Sequence, residues 1–498
     1  VLALTGLDLD LAAVAALAPR ADARLAADAV ARMQASRAAV ERAVADGRTS
    51  YGITTGFGAF ANRRIPQGKV LQLQTNLVRS HATGVGAPLA AEHVRRILLL
   101  KANNLAAGYS GVRPQVVDAL LALLRHDVLP VVPGRGSVGA SGDLAPLAHL
   151  TLALIGEGEA IQDGRRLEGA EVCAAAGFAP VALEAKEGLA LLNGTQVSTA
   201  LAIDGWDRAR RLLDASIVVG ALTVEALAGS HAPFDDRIHA ARGQAGQRRV
   251  AAALAALLAG SEIHASHANC DRVQDPYAVR CMPQVIGAAW DTVEHAARVL
   301  QAEVNGVSDN PLIFGDDILS GGNFHAAPIG LVADFMAIAL TDVASQSERR
   351  TDLLDRRVNP ALNMFLTTEP GVESGFMIAH VTAAALASEN KTLAHPASVD
   401  SIPTSAGQED HVSMAPWAGH KLLAIAANAA TILGIEWLAA AHAIDSQRPL
   451  RTSPPLERVQ SLLRSTVPFQ PRDHRLDREI AAAAGLVYDA RLTADLAA

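Results

Sequence analysis

Cysteine is almost absent from this chain: Cys173, Cys270 and Cys281 are the three in 498 residues. Three thiols cannot build a disulfide framework, so the sequence reads as that of a reducing, cytoplasmic compartment. Aromatic residues are scarce as well, at 4% of the chain with four tyrosines in all. A basic excess is also missing, because 43 Lys and Arg stand against 51 Asp and Glu, a net charge of −8. That balance argues against nucleic acid or an anionic membrane as the partner and leaves a small metabolite. The opening residues show no charged leader followed by an apolar stretch. Internal repeats and low-complexity linkers are not evident, although alanine is abundant throughout.

Half of the residues are hydrophobic, enough to bury two or three packed subdomains at this length. Helical patterning dominates. Trp290, Val293, Ala297, Leu300 and Val304 recur at three- and four-residue steps, an apolar stripe of heptad character. The stretches 93–107, 205–228, 328–350 and 418–445 are long, rich in Ala and Leu, and nearly free of Gly and Pro. Strand-like runs such as DVLPVVP and NPLIF are short and scattered, which excludes a large parallel sheet. The fold expected is mainly α: a long antiparallel helical bundle over 201–498, preceded by a loop-rich N-terminal domain over 1–200 that carries the site. Residues 422–444 imitate a membrane span, but Asn428, Glu436 and His442 interrupt them. A helix buried on all sides by its neighbours is the favoured reading.

The stretch PGRGSVGASGDLAPLAHL (133–150) holds two competing chemistries. Gly134, Gly136 and Gly139 have the G-x-G-x-x-G spacing of a dinucleotide site, with Glu157 and Glu159 about twenty positions on. That site needs a strand–helix–strand unit, and no suitable following strand appears. A serine-hydrolase elbow needs G-x-S-x-G, whereas Gly142 follows Ser141 directly. The triplet Ala140-Ser141-Gly142 offers another use. The unhindered nitrogen of Gly142 can attack the carbonyl carbon of Ala140 in a tightly bent loop, and Ser141 can lose its hydroxyl as water. Cyclisation and dehydration together give 4-methylideneimidazol-5-one (MIO), a ring with an electrophilic methylene. The dipole of the helix after Asp143 would increase its electron demand.

GSVGASGDLAPLAHL resembles the signature of the aromatic amino acid ammonia-lyases. The likeness continues in YGITTGFG (51–58), NLVRSHATGVG (76–86), KEGLALLNGTQ (186–196), NCDRVQDPYAVRCMPQV (269–285), VNGVSDNP (304–311), SGGNFHA (320–326) and SIPTSAGQEDHVSM (401–414). Among the branches of this family, the histidine branch is the most similar. The resemblance implies an MIO formed from Ala140-Ser141-Gly142, no dissociable cofactor and no metal. It further implies a homotetramer whose active sites are shared between subunits, and conversion of L-histidine to trans-urocanate and ammonia. A tyrosine or phenylalanine ammonia-lyase on the same scaffold is the alternative.

The resemblance also implies roles for individual residues. Tyr51 and Tyr277 share the tasks of taking the β-proton and of positioning or activating the ring, and which does which stays open. Arg280 grips the substrate carboxylate as a bidentate partner. Asn193 contacts carboxylate or ring, Gln274 is a further polar contact, and Phe324 is an apolar wall. Ser80-His81 stands where tyrosine-specific relatives carry His-Leu and phenylalanine-specific ones Phe-Leu. His81 can hydrogen-bond an imidazole nitrogen, which leucine cannot. Glu409 supplies a carboxylate for the same ring. Gly407 departs from the pattern, since the family commonly has Asn there, and the lost amide is expected to loosen Glu409. His264, His267, Cys270 and Asp271 have a spacing that could put metal ligands on one face, yet that segment reads as a loop entering the Tyr277 motif. A catalytically dead scaffold would be expected to have lost Ser141, Tyr51, Tyr277 or Arg280, and all four are present.

Overall fold

The structure, a computed structural model, describes residues 1–267 and 272–496. Its helices follow the sequence pattern. Those that matter for the site are α1 (Val70–His81), α2 (Ala91–Ala106), α3 (Leu144–Leu154), α4 (Glu187–Leu192) and α5 (Gln196–Ala226). The long helices later in the chain include α6 (Met282–Asn305), α7 (Ala327–Asp355) and α8 (Ala415–Asp445). The apolar stripe foreseen on α6 is buried at Trp290, Val293, Leu300 and Val304.

Among the described residues the sheets are small, with two or three strands each. Pro133–Arg135, the strand that carries Gly134, pairs antiparallel with Val85–Pro88. Leu129–Pro130 joins Glu159–Gln162 and Arg165–Glu168 in an antiparallel sheet of three. The G-x-G-x-x-G run therefore lacks the parallel strand that a dinucleotide fold requires. Gly136 and Gly139 have φ of 142° and 65° and serve the backbone path into the next turn.

The chain forms two compact units. The first comprises 1–204, 297–334 and 396–420, and the second 205–296, 335–395 and 421–498. The chain crosses between them within α5, α6, α7 and α8, and once more in the loop at 395–396. A division placed once, at residue 200, follows composition. Four of the five crossings lie inside continuous helices, where no linker composition marks them.

The second unit contains the apolar segment 422–444 as part of α8, and most of that helix is buried. The charge that interrupts it is satisfied internally. Glu436 and Arg350 are both fully buried and form an ion pair at 2.5 Å, and Glu436 also accepts hydrogen bonds from Thr223 Oγ1 at 2.7 Å and Ser347 Oγ at 2.6 Å. Removing the carboxylate alone leaves a desolvated guanidinium without its counter-charge. Glu436→Leu is expected to cost about 3–5 kcal/mol of unfolding free energy in urea titration. Glu436→Leu combined with Arg350→Met should recover most of that loss, because the uncompensated charge is then gone.

Candidate active site

Five stretches of the first unit line a cavity of about 750 Å³. The segment around Tyr51–Phe60, the last turns of α1, the turn at Ser141, the end of α4 with Asn193, and the turn at Ser405–Glu409 each contribute. Tyr51, Ser80, His81, Ser141, Asn193 and Glu409, expected from the sequence to act together, all face this space.

The Ser141 turn is held by its neighbours in a form that suits glycine at 142. Gly142 has φ of 69° and forms a bridge with Gly194. A Cβ on Gly142 would lie 2.1 Å from the Gly194 carbonyl oxygen, so no other residue fits without moving backbone. That same carbonyl accepts the Asp143 backbone N–H at 2.7 Å. The Asp143 side chain is fully buried and accepts from Ser198 N at 2.7 Å, Ser198 Oγ at 2.9 Å and Ser137 Oγ at 3.1 Å. Burial pushes its carboxyl pKa up, and the three donors oppose that. Asp143 thus anchors the start of α3 from inside. The small Ala140, the unhindered Gly142 nitrogen and the cavity-facing Ser141 hydroxyl meet the requirements for ring closure and loss of water.

Ser141 Oγ donates to Glu409 Oε1 at 2.8 Å, and Thr404 Oγ1 donates to Glu409 Oε2 at 2.7 Å. Backbone bonds from Thr404 N to Glu409 O, and from Glu409 N to Thr404 O, close the turn. Within it Ser405, Ala406 and Gly407 all have positive φ, 83° at Gly407. A Cβ at Gly407 would meet nothing within 4 Å. The departure at Gly407 therefore suits the backbone, and the anchors of Glu409 do not depend on a side chain there.

His81 ends α1, and its Nδ1 lies 2.9 Å from the Leu77 carbonyl oxygen. A carbonyl only accepts, so Nδ1 carries the hydrogen and a neutral ring keeps Nε2 as an acceptor. Burial pushes the His81 pKa down, opposed by the Leu77 bond and the charge of Glu409. Neutral imidazole is thereby favoured near pH 7. Tyr51 Oη accepts the Gly58 N–H at 3.2 Å, and its ring meets Phe57 edge-on. Asn193 is 4% exposed, yet its Oδ1 has no hydrogen-bond partner. A buried, unmatched amide oxygen on a cavity wall can accept a bond from a ligand.

The other expected residues lie elsewhere. Gln274, Tyr277 and Arg280 belong to the second unit. Tyr277 is 71% exposed, with the Arg280 guanidinium 4.5 Å from its ring centre, and Arg280 Nε donates to the Asp275 carbonyl. Phe324, half-buried in the loop before α7, does not line the cavity. Of the possible metal ligands, His264 stacks on His231 with ring centres 3.6 Å apart, and His267 Nδ1 bonds the Ile263 carbonyl. Cys270 and Asp271 lie outside the described residues. Sequence reasoning missed Asp143 as an anchor, as well as Gly194 and Ser198. The only hint was the small, polar run after Asn193.

Comparison with known proteins settles the family. The family model "Aromatic amino acid lyase" matches residues 9–465. The chain belongs to the aromatic amino acid lyases. Within that family it is 55% identical over 460 residues to the histidine ammonia-lyase of Paracidovorax citrulli, covering 92% of this chain and 90% of that protein. The crystal structure of histidine ammonia-lyase from Trypanosoma cruzi superposes with a TM-score of 0.92 at 39% identity, covering 100% of this chain and 95% of the other. A tyrosine aminomutase from Streptomyces globisporus gives 0.93 at 36%, covering 100% and 98%. Proteins named for two different activities thus share this scaffold.

Proposed function

We propose that this lyase is a histidine ammonia-lyase that converts L-histidine to trans-urocanate and ammonia. The observation that carries the reading is the presence of His81 and Glu409 in one cavity with Ser141. The identity to histidine ammonia-lyases supports it further. In this reading Ala140-Ser141-Gly142 cyclises and loses two waters to give MIO. Once formed, that ring supplies an electrophile for the substrate amine, so that nitrogen can depart with its electron pair.

The chain's own residues bind and orient. The substrate ring binds as imidazolium, its two N–H groups donating to the Glu409 carboxylate and to the Nε2 lone pair of His81. The Asn193 amide oxygen receives a donor from the amino acid head. Tyr51, which lines the same cavity, is one of the two phenols proposed for the β-proton and ring-positioning roles. Tyr277, Gln274, Arg280 and Phe324 complete the site, with Arg280 gripping the carboxylate. We place them there through a homotetramer whose sites are shared between subunits. In support, Tyr277 is exposed, as are the apolar Phe335, Ile338, Ile378 and Val381 on helical surfaces of the second unit. The cytoplasmic assignment rests on the scarcity of cysteine.

The test is ultraviolet detection of urocanate from purified protein and L-histidine, with L-tyrosine and L-phenylalanine in parallel and β-amino acid products assayed by chromatography. Urocanate as the main product is expected. Coumarate, cinnamate or a β-amino acid as the main product would overturn the substrate or reaction assignment.

A further inference from the structure

The geometry points to Lys101 as a positioning residue for ring formation: its ammonium holds the Asn193–Gly194 backbone against the Ala140-Ser141-Gly142 turn. This rests on the reading of that triplet as the source of MIO. Lys101 lies on α2, wholly buried, and is not among the residues that line the substrate cavity. Its Nζ donates to the Asn193 carbonyl at 2.6 Å and to the Ala190 carbonyl at 3.2 Å. Both acceptors are at the C-terminal end of α4, where carbonyls lack helical partners and a cation is favoured.

The residue after Asn193 makes this contact consequential. The peptide whose oxygen Lys101 holds contributes the nitrogen of Gly194. Gly194 is the residue that packs on Gly142 and receives the Asp143 N–H. A chain of contacts thus runs from the ammonium through the Asn193–Gly194 peptide to Gly194, which packs on Gly142 and bonds the Asp143 N–H. Closure demands that Gly142 nitrogen approach the Ala140 carbonyl carbon more closely than an ordinary turn permits. A wall that yields would let the turn relax instead.

A neutral donor would satisfy a helix end at much lower cost. The fully desolvated ammonium is pushed down to about 7 by burial, with Asp309 and Asp143 opposing and Lys186 adding to the shift. Lys186 is equally buried, but it has its own carboxylate, Asp309, at 2.6 Å. Lys101 has carbonyls in place of a carboxylate partner. It therefore acts as a charge-assisted clamp on backbone.

The experiment tracks maturation by intact mass and by the ultraviolet difference spectrum of the ring, with folding checked by circular dichroism and melting. The native chain comes first: a deficit of two waters establishes the ring, and its absence would sink the MIO reading itself. Lys101→Met and Lys101→Arg are then compared at equal folded fraction. The expected result is a matured fraction or maturation rate at least tenfold lower in Lys101→Met, restored to within about threefold by Lys101→Arg, which keeps the charge and the donors. Full maturation of folded Lys101→Met overturns the proposal, as does equal failure of the two variants. If Lys101→Met does not fold, Lys101→Gln, which retains a neutral donor, takes its place under the same two criteria.

Discussion

Ser141→Ala is expected to leave a folded protein whose deamination of L-histidine is at least ~10³-fold below the native rate. The structure explains why folding should survive. Ser141 faces the cavity, and its side chain makes one hydrogen bond, to Glu409, which keeps a second anchor in Thr404. The loss is chemical. Without the hydroxyl there is no second water to eliminate and no methylene, so intact mass should show the absence of the two-water deficit while the melting temperature shifts by a few degrees at most. Alanine keeps the turn's steric profile, so the experiment separates chemistry from shape. Residual activity near the native level would mean that the reaction does not pass through the triplet.

The second large effect concerns selectivity. His81→Leu removes the partner of one imidazole nitrogen, and Glu409→Gln removes the charge that holds the other, each while preserving approximate size. Sites built to hydrogen-bond a substrate group lose far more than those that only enclose it, because the unmatched buried polar group is costly. For L-histidine, kcat/KM is expected to fall about 10²-fold or more for each change. The double variant should lose less than the product of the two losses, since both act on one ring. Activity on L-tyrosine, measured in parallel, should be reduced much less. Equal losses on both substrates would assign His81 and Glu409 to a role that does not discriminate between side chains. Because Glu409 also accepts from Ser141 Oγ, intact mass must be measured on both variants, so that incomplete maturation is not mistaken for weak binding.

Much of the architecture was legible because helices are local objects. The three- and four-residue recurrence on α6 and the uninterrupted Ala/Leu runs elsewhere need only the 3.6-residue repeat to be recognised. The same is true of the buried reading of 422–444, where Glu436 signals an interior partner without naming it. Arg350, 86 positions away, could not be found from spacing. The two compact units were hidden for a related reason: at four of five crossings the chain passes between them within helices, where sequence carries no punctuation.

The amino-acid sequence by itself determined the chemistry available at the site. Only a small residue, a serine and a glycine in that order can give the electrophile, and seven further motifs carry the family. It also supplied His81 and Glu409, the pair proposed to bind an imidazole. Tertiary structure decided which of these groups meet. Ser141 and Glu409 are 268 positions apart, yet bonded at 2.8 Å. Gly142 owes its requirement to Gly194, and Lys101 owes its partner to the end of α4. Such relations arise from packing between distant segments, where a few tenths of an ångström separate contact from clash. Residue order alone does not encode those distances.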